Sequence, residues 1–271
     1  MEFTDLDLVQ LLVLGLVQGL VEFLPISSSG HLVLLPVVMD WRDQGLAYDV
    51  AAHLGTLAAV VGYYRRDLLL MVVEGIDHLR GGPATPLSRL GGAVLLGTVP
   101  AGLVGLLAHD VIATSLRSIL VIAVATAGFG LLLWYADRTG RRTRDEHSLR
   151  LRDILMIGGA QALALIPGTS RSGITITAGL LCGLTRQAAV RYSFLLSVPV
   201  IVLAGGLEAG EVFRRGVQVG WVGLCFVTFV SFASAYLCIH VFLKLVDKIG
   251  MAPFAIYRLI LAALLVAIWV L

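Results

Sequence analysis

Two stretches of this sequence concentrate side chains that could act on a phosphate group. The first contains Gln18, Glu22, Ser27, Ser28 and His31. A carboxylate can serve as a metal ligand or a general base, a serine as a nucleophile, and a histidine as a proton carrier. Gln18 and Glu22 are four residues apart and therefore share one face of a helix. One serine can also serve as a helix N-cap, so this stretch predicts a helix start beside a reactive site.

The second stretch, PGTSRSG at residues 167–173, has the composition of an anion-binding loop. Its arginine can bind phosphate through two parallel hydrogen bonds, and its glycines let the backbone approach a ligand closely. The other interpretation of the arginine is a structural ion pair with Glu22. The candidate substrate-binding residues here are Gly168, Thr169, Ser170, Arg171, Ser172 and Gly173, and Gln18 joins them from the first stretch.

The two stretches are copies of one motif at a constant offset of 143 residues. The offset pairs identical residues, namely Gly15 with Gly158, Gln18 with Gln161, Ser27 with Ser170, Ser29 with Ser172 and Gly30 with Gly173. Both copies stand inside apolar sequence, where a charged side chain costs roughly 2.5–3.5 kcal/mol or more at the bilayer centre. Charged residues in such positions predict a functional site.

Composition predicts an all-α polytopic membrane protein. The chain is 58% hydrophobic and 14% charged, whereas soluble domains carry about 25% charged residues. No basic run is interleaved with aromatic residues, so we expect no nucleic-acid partner. Apolar runs long enough to cross a bilayer core of about 30 Å occur at 46–64, 88–108, 117–136, 190–206, 217–243 and 252–271.

Each copy of the motif interrupts an apolar run at a proline, Pro25 or Pro167, which stops a helix. The apolar piece that follows is too short to cross a bilayer. A Ser/Gly loop at membrane depth is tolerated only where it is buried in protein or lines a wet cavity. We therefore expect two re-entrant helix–loop–helix pairs, formed by 7–24 with 31–39 and by 152–166 with 174–184.

One re-entrant pair plus three crossings makes each half of the chain, and three crossings invert the second half relative to the first. We expect a single membrane domain, 1–271, with internal repeats at about 6–136 and 150–271. The connections 65–89, 137–152, 185–191 and 244–251 hold 14 of the 20 Lys and Arg residues, and the opposite side holds four. The positive-inside rule therefore places both termini outside.

Asp49, His53 and Thr56 add polar groups to one face of a spanning run, at spacings of four and three. They can either support the cavity or extend its metal or proton network. The sequence leaves both roles open.

The segments 15–34 and 167–173 resemble the two signature motifs of the undecaprenyl pyrophosphate phosphatase family, also called the bacitracin-resistance protein family. Residues 48–60, 97–105 and 191–199 resemble further family segments in the same order. The resemblance implies a multi-pass enzyme of the bacterial inner membrane. It would hydrolyse undecaprenyl diphosphate to undecaprenyl phosphate and inorganic phosphate, which recycles the lipid carrier of peptidoglycan synthesis and lowers sensitivity to bacitracin. The resemblance also implies a divalent cation, Mg²⁺ or Ca²⁺.

In the expected mechanism, Arg171 clamps the diphosphate and a cation bridges Glu22 and the phosphate oxygens. Ser28, or its neighbour Ser27, attacks the terminal phosphorus with Glu22 or His31 as base. Phosphorylation of His31 and direct attack by water remain open.

The competing function is transport, because midplane polar loops in inverted repeats are typical of transporters. A polyprenyl-phosphate flippase would use the same anion site without hydrolysis. A carboxylate and a histidine beside hydroxyls favour hydrolysis over translocation alone. The expected partners are a polyprenyl diphosphate and the membrane lipids, and the sequence leaves a homodimer open.

Overall fold

The computed structural model describes residues 7–41, 44–107, 118–215 and 220–270. These ranges are helical and contain no strand; a single isolated bridge joins Arg144 to Leu184. The helices are, in chain order, α1 (Leu8–Val21), α2 (Ser28–Met39), α3 (Leu46–Tyr63), α4 (Arg65–Leu79), α5 (Pro86–Leu107), α6 (Ile119–Thr139), α7 (Leu151–Ala162), α8 (Arg171–Leu181), α9 (Arg186–Arg215), α10 (Trp221–Ile249) and α11 (Ala252–Val270).

Six of the described helices, α3, α5, α6, α9, α10 and α11, are long and apolar enough to cross a membrane. They fall on the six apolar runs of the sequence, so the prediction of a multi-pass helical membrane protein is confirmed. The predicted run ends at 108, 117, 217 and 271, and the predicted repeat bound at 6, lie outside the described residues. Helix α9 begins earlier and ends later than predicted, since its polar ends continue the same helix.

Four short helices form two pairs around the prolines. Helix α1 has 14 residues and α2 has 12, and they are separated by the turn that contains Pro25. Helix α7 has 12 residues and α8 has 11, and a 3₁₀ turn and Pro167 lie between them. At 1.5 Å per residue, none of the four reaches across a core of about 30 Å. The predicted breaks in the two motif regions are therefore present.

Helix α4 was not foreseen as a helix, because 65–89 carries four arginines and was interpreted only as a connection. It follows α3 after a single residue, Tyr64, and buries one side chain, Met71. Met71 packs on α5: a Cβ added to Gly91 of that helix would lie 3.2 Å from the Cβ of Met71. Most apolar residues of α4 are exposed, and its many charged residues keep it from standing out as an apolar run in the sequence.

An ion pair outside the six membrane-capable helices fixes the connection that leads into α7. Arg144 donates to Asp153 at 2.6 Å and to the carbonyl of Cys182 at 2.9 Å, which ties the connection to the end of α8. Burial by itself would raise the pKa of Asp153. The hydrogen bonds from Arg144 and from the Arg150 amide outweigh it and hold the pKa below its usual range.

Glycines bring the short helices against spanning helices at backbone distance. A Cβ on Gly19 of α1 would lie 2.7 Å from the carbonyl oxygen of Ser231 in α10. A Cβ on Gly158 of α7 would lie 2.6 Å from the carbonyl oxygen of Gly97 in α5. Small residues at such crossings allow close van der Waals packing, which is the main source of helix association in lipid.

We expect Gly158→Ala to destabilise the protein by about 1–3 kcal/mol, because backbone cannot move aside as a flexible side chain can. Gly159→Ala is the matched control: a Cβ there meets nothing within 4 Å. Thermal unfolding of both purified variants in detergent measures the difference. A Gly158→Ala midpoint equal to that of Gly159→Ala would contradict the close α5–α7 contact.

Candidate active site

The two motif loops meet through an ion pair between Glu22 and Arg171. The distance from Arg171 Nη2 to Glu22 Oε1 is 2.8 Å, and the two side chains are only 12% and 8% exposed. A second bond joins the loops, since the Ser172 hydroxyl donates to the Leu24 carbonyl at 2.9 Å. The structural pairing considered for Arg171 is therefore present, and it lies at the junction of the two predicted site loops.

Three further groups surround the Glu22 carboxylate. Gln18, on the same face of α1, donates to Glu22 Oε2 at 3.0 Å. The Ser28 hydroxyl also hydrogen-bonds this carboxylate. His53 Nε2 of α3 lies 3.8 Å from Oε2, and its Nδ1 is bonded to the Asp49 carbonyl at 2.8 Å. The geometry thus brings His53 to the carboxylate, a role that the sequence had left open.

A serine with left-handed backbone precedes the second helix of each pair. Ser27 has φ 76° and Ser170 has φ 69°, a conformation uncommon outside glycine. The Ser170 hydroxyl accepts the Gly173 amide at 3.2 Å and so caps α8. Helix N-termini attract anions, and α2 and α8 both start in the loops that the ion pair joins.

His31 is held at both ring nitrogens. Nδ1 lies 2.7 Å from the Ser27 carbonyl, which can only accept, so this nitrogen carries the hydrogen. Nε2 lies 2.6 Å from the Tyr257 hydroxyl, from which it accepts when the ring is neutral, and the two rings are parallel within 4°. In this arrangement neither nitrogen is directed to Ser28. Tyr257 was missed in the sequence; the only signal was a polar Tyr-Arg pair inside an apolar run.

The second loop is tightly packed. A Cβ on Gly168, at φ 93°, would lie 2.4 Å from the Ile122 carbonyl oxygen, so only glycine fits there. Ser170 and Ser172 place their hydroxyl oxygens 3.3 Å apart. Thr169 is fully buried, and its hydroxyl has no hydrogen-bond partner among the described residues. The structure therefore brings the predicted Ser170 and Ser172 hydroxyls together.

Two hydroxyl residues that the sequence did not single out support Arg171 from behind. Thr175 lies one turn along α8, and its hydroxyl is hydrogen-bonded to the hydroxyl of Ser193 in α9 at 2.7 Å. The Ser193 carbonyl in turn accepts a hydrogen bond from Arg171 Nη1 at 3.3 Å. Only the long-range contact between α8 and α9 identifies them, since single hydroxyls in apolar helices carry no distinctive pattern.

The donor set near Glu22 suits a hard divalent cation that is shared with a phosphate. No group of three His, Cys, Asp or Glu residues within the described ranges could hold a metal by itself. Mg²⁺, however, commonly binds through one or two carboxylates plus substrate phosphate oxygens. Glu22 supplies the carboxylate, and the buried Gln18 Oε1 beside it lacks a hydrogen-bond partner in the described structure. These two residues fit the expected cation.

Comparison with known proteins confirms the family resemblance of the two motifs. Residues 11–264 match the family model described as Bacitracin resistance protein BacA. The undecaprenyl-diphosphatase of Thioalkalivibrio sulfidiphilus is 61% identical over 261 residues, covering 96% of this chain and 98% of that protein.

Two further relatives agree. Undecaprenyl-diphosphatase 2 of Stutzerimonas stutzeri is 57% identical over 267 residues, or 97% of this chain and 99% of the relative. The undecaprenyl-diphosphatase of Nitrosococcus oceani is 56% identical over 260 residues, or 96% and 98%. The match spans both motif loops and nearly all of the helices that position them. The chain therefore belongs to the bacitracin resistance protein BacA family.

Proposed function

We propose that this chain is an undecaprenyl-diphosphatase, a membrane hydrolase that converts undecaprenyl diphosphate to undecaprenyl phosphate and inorganic phosphate. The observation that carries the proposal is the Glu22–Arg171 contact, which joins an anion-binding loop to a loop with a nucleophile. The names of relatives at 56–61% identity give the same activity. The product returns the lipid carrier to peptidoglycan synthesis and lowers sensitivity to bacitracin.

Diphosphate binding would exchange the partner of Arg171. The guanidinium is paired with Glu22 without substrate, and phosphate oxygens can replace that carboxylate in bidentate geometry. Glu22, released from the arginine, becomes free to accept a proton from Ser28, whose hydroxyl already bonds it. Substrate entry thus prepares both the clamp and the base.

Ser28 is the nucleophile that we propose. Ser27 is fully buried and His31 has both nitrogens engaged, whereas Ser28 is partly exposed beside Glu22. Its oxygen bonds to the terminal phosphorus as the bond to the bridging oxygen breaks, and its proton passes to Glu22. Undecaprenyl phosphate leaves, and water then cleaves the phosphoserine to release inorganic phosphate.

A divalent cation, Mg²⁺ or Ca²⁺, would be held by Glu22 and Gln18. When bound, it would neutralise charge on the diphosphate oxygens. The chain itself supplies two side-chain oxygen ligands, from Gln18 and Glu22, which are four residues apart and lie on one helix face.

We also propose that the fold consists of two inverted repeats, at about 6–136 and 150–271, within one membrane domain. The offset of 143 residues relates the left-handed serines, Ser27 and Ser170, and the helix starts that follow them. It also relates Gly15 and Gly158, each packed on a spanning helix of the opposite half. In this proposed arrangement both helix pairs would be re-entrant, and the arginine distribution supports termini on the outer side of the bacterial inner membrane.

Transport of a polyprenyl phosphate is the less favoured function, because the relatives carry the name of a hydrolase. The site as proposed uses residues of one chain and needs no second copy. The sequence leaves a homodimer open.

We expect Arg171→Ala to lower phosphate release from undecaprenyl diphosphate by about 10²–10³-fold, the usual cost of losing a preorganised anion donor. Arg138→Ala, at an arginine that lies over Trp134 away from the loops, is the matched control and keeps wild-type release. Phosphate assays on detergent-purified protein measure both. Equal activity of the two variants would remove Arg171 from the mechanism.

Ser28→Ala tests the nucleophile. We expect at least about 10³-fold loss of kcat with little change of KM, because the substrate clamp is intact. Mass spectrometry of wild-type reactions quenched with denaturant near neutral pH, where both phosphoserine and phosphohistidine survive, should find phosphate on Ser28. A substantial residual rate in Ser28→Ala would indicate attack by water, and phosphate on His31 would indicate a histidine intermediate. Ser148→Ala, at an exposed connection, is the control.

Removal of divalent cations by EDTA should abolish phosphate release, and added Mg²⁺ or Ca²⁺ should restore it. Gln18→Glu adds an anionic ligand next to Glu22, so we expect half-maximal activation at a lower cation concentration. Gln18→Leu should raise that concentration. Activity that is unchanged in EDTA would contradict the cation assignment while leaving the serine mechanism in place.

A further inference from the structure

We propose that Arg258 is a positioning residue of this site, which fixes both motif loops and supplies the site's uncompensated positive charge. The inference rests on the proposed function, because it concerns the same diphosphate-binding loops. Arg258 lies in α11, the last described helix, and is completely buried, with 0% of its surface exposed. It is the largest of the fully buried side chains in the described structure.

The guanidinium of Arg258 is bonded only to backbone carbonyls in the described part of the chain. Nη1 donates to Pro25 of the first loop at 3.4 Å, and Nη2 donates to Gly168 of the second loop at 2.9 Å. Nε and Nη2 also reach Thr126 and Ala125 of α6, at 3.0 and 3.5 Å. One side chain thus holds both motif loops against one spanning helix.

This arrangement is an unusual use of an intramembrane arginine. A buried arginine normally has a carboxylate partner, because an uncompensated charge in a low-dielectric interior is costly. Carbonyl dipoles from two loops replace that partner here, and they converge only when both loops are in place. The guanidinium therefore couples the position of Pro25 to that of Gly168, 143 residues later in the chain.

The fork of Arg258 also lies directly behind the anion-binding loop. A Cβ on Gly173 would lie 2.8 Å from Arg258 Nη1, and a Cβ on Gly130 would lie 3.1 Å from its Cβ. The two glycines leave the space that the guanidinium fills. Its charge consequently sits against the first turn of α8, the turn that begins with Arg171.

The charge balance of the site depends on this residue. Arg171 and Glu22 form an ion pair and compensate each other. Arginine stays protonated in proteins, and the described hydrogen-bond partners of Arg258 are carbonyls, so no carboxylate among them compensates its positive charge. In a medium of low dielectric constant, that charge attracts the anionic diphosphate before Arg171 exchanges its partner.

Three variants separate charge from geometry. Arg258→Met removes both, and Arg258→Lys keeps the charge but loses the planar fork that reaches two loops. Arg186→Met is the control: Arg186 is also an arginine between helices, paired with Asp137 at 2.6 Å, and it does not touch either loop. Inorganic pyrophosphate, used as a competitive inhibitor and in direct calorimetric binding, serves as the probe of anion affinity.

We expect Arg258→Met to weaken pyrophosphate binding at least about tenfold, or about 1.4 kcal/mol. Arg258→Lys should keep the affinity within about threefold while kcat for undecaprenyl diphosphate falls, because the loops are no longer fixed together. Arg186→Met should lower thermal stability only. A folded Arg258→Met with wild-type pyrophosphate affinity overturns the proposal.

Two further outcomes are decisive. If Arg258→Met does not fold, Arg258→Lys alone tests the charge, and tenfold weaker pyrophosphate binding by folded Arg258→Lys overturns the assignment. Failure of the proposed function has a different signature. Wild-type protein would then release no phosphate. Calorimetry would still measure whether Arg258→Met binds pyrophosphate more weakly than the wild type does.

Discussion

The ion pair between Glu22 and Arg171 is the contact on which the rest of the structure depends. Each charge alone would be costly at membrane depth, and each is almost completely buried. Together they compensate each other, so the two motif loops must meet for either to be accommodated in lipid. Residues 149 positions apart are thereby joined, so the end of α1 and the start of α8 must lie together.

The same requirement gives the site its chemistry. The Glu22 carboxylate accepts from an arginine, an amide and a hydroxyl, and the arginine can exchange this carboxylate for a phosphate oxygen. The carboxylate that the arginine leaves can then accept a proton. Backbone in the left-handed region at Ser27 and Ser170 is a local cost of about 1–3 kcal/mol each. These two residues immediately precede α2 and α8 in the loops of the proposed anion site.

Packing supplies the rigidity that these strained loops need. Glycines at the α1–α10 and α5–α7 crossings bring backbone against backbone, and buried hydroxyls such as Ser231 and Ser234 donate to the Gly15 carbonyl across one of them. Arg258 of α11 donates one hydrogen bond to a carbonyl of each loop. The functional atoms are therefore set by helices that lie far from them in sequence, as preorganised anion sites require.

The sequence by itself determined the fold class, six of the helices, the two breaks near Pro25 and Pro167, and the membership of both motifs in one site. Hydropathy, proline and residue spacing are local properties, and each can be recognised without a partner. Only the tertiary structure decided that Ser28 bonds Glu22, that His31 bonds Tyr257, and that Arg258 bonds carbonyls of both loops. His31 and Tyr257 are 226 residues apart, and which groups meet at such separations depends on helix packing rather than on local preference.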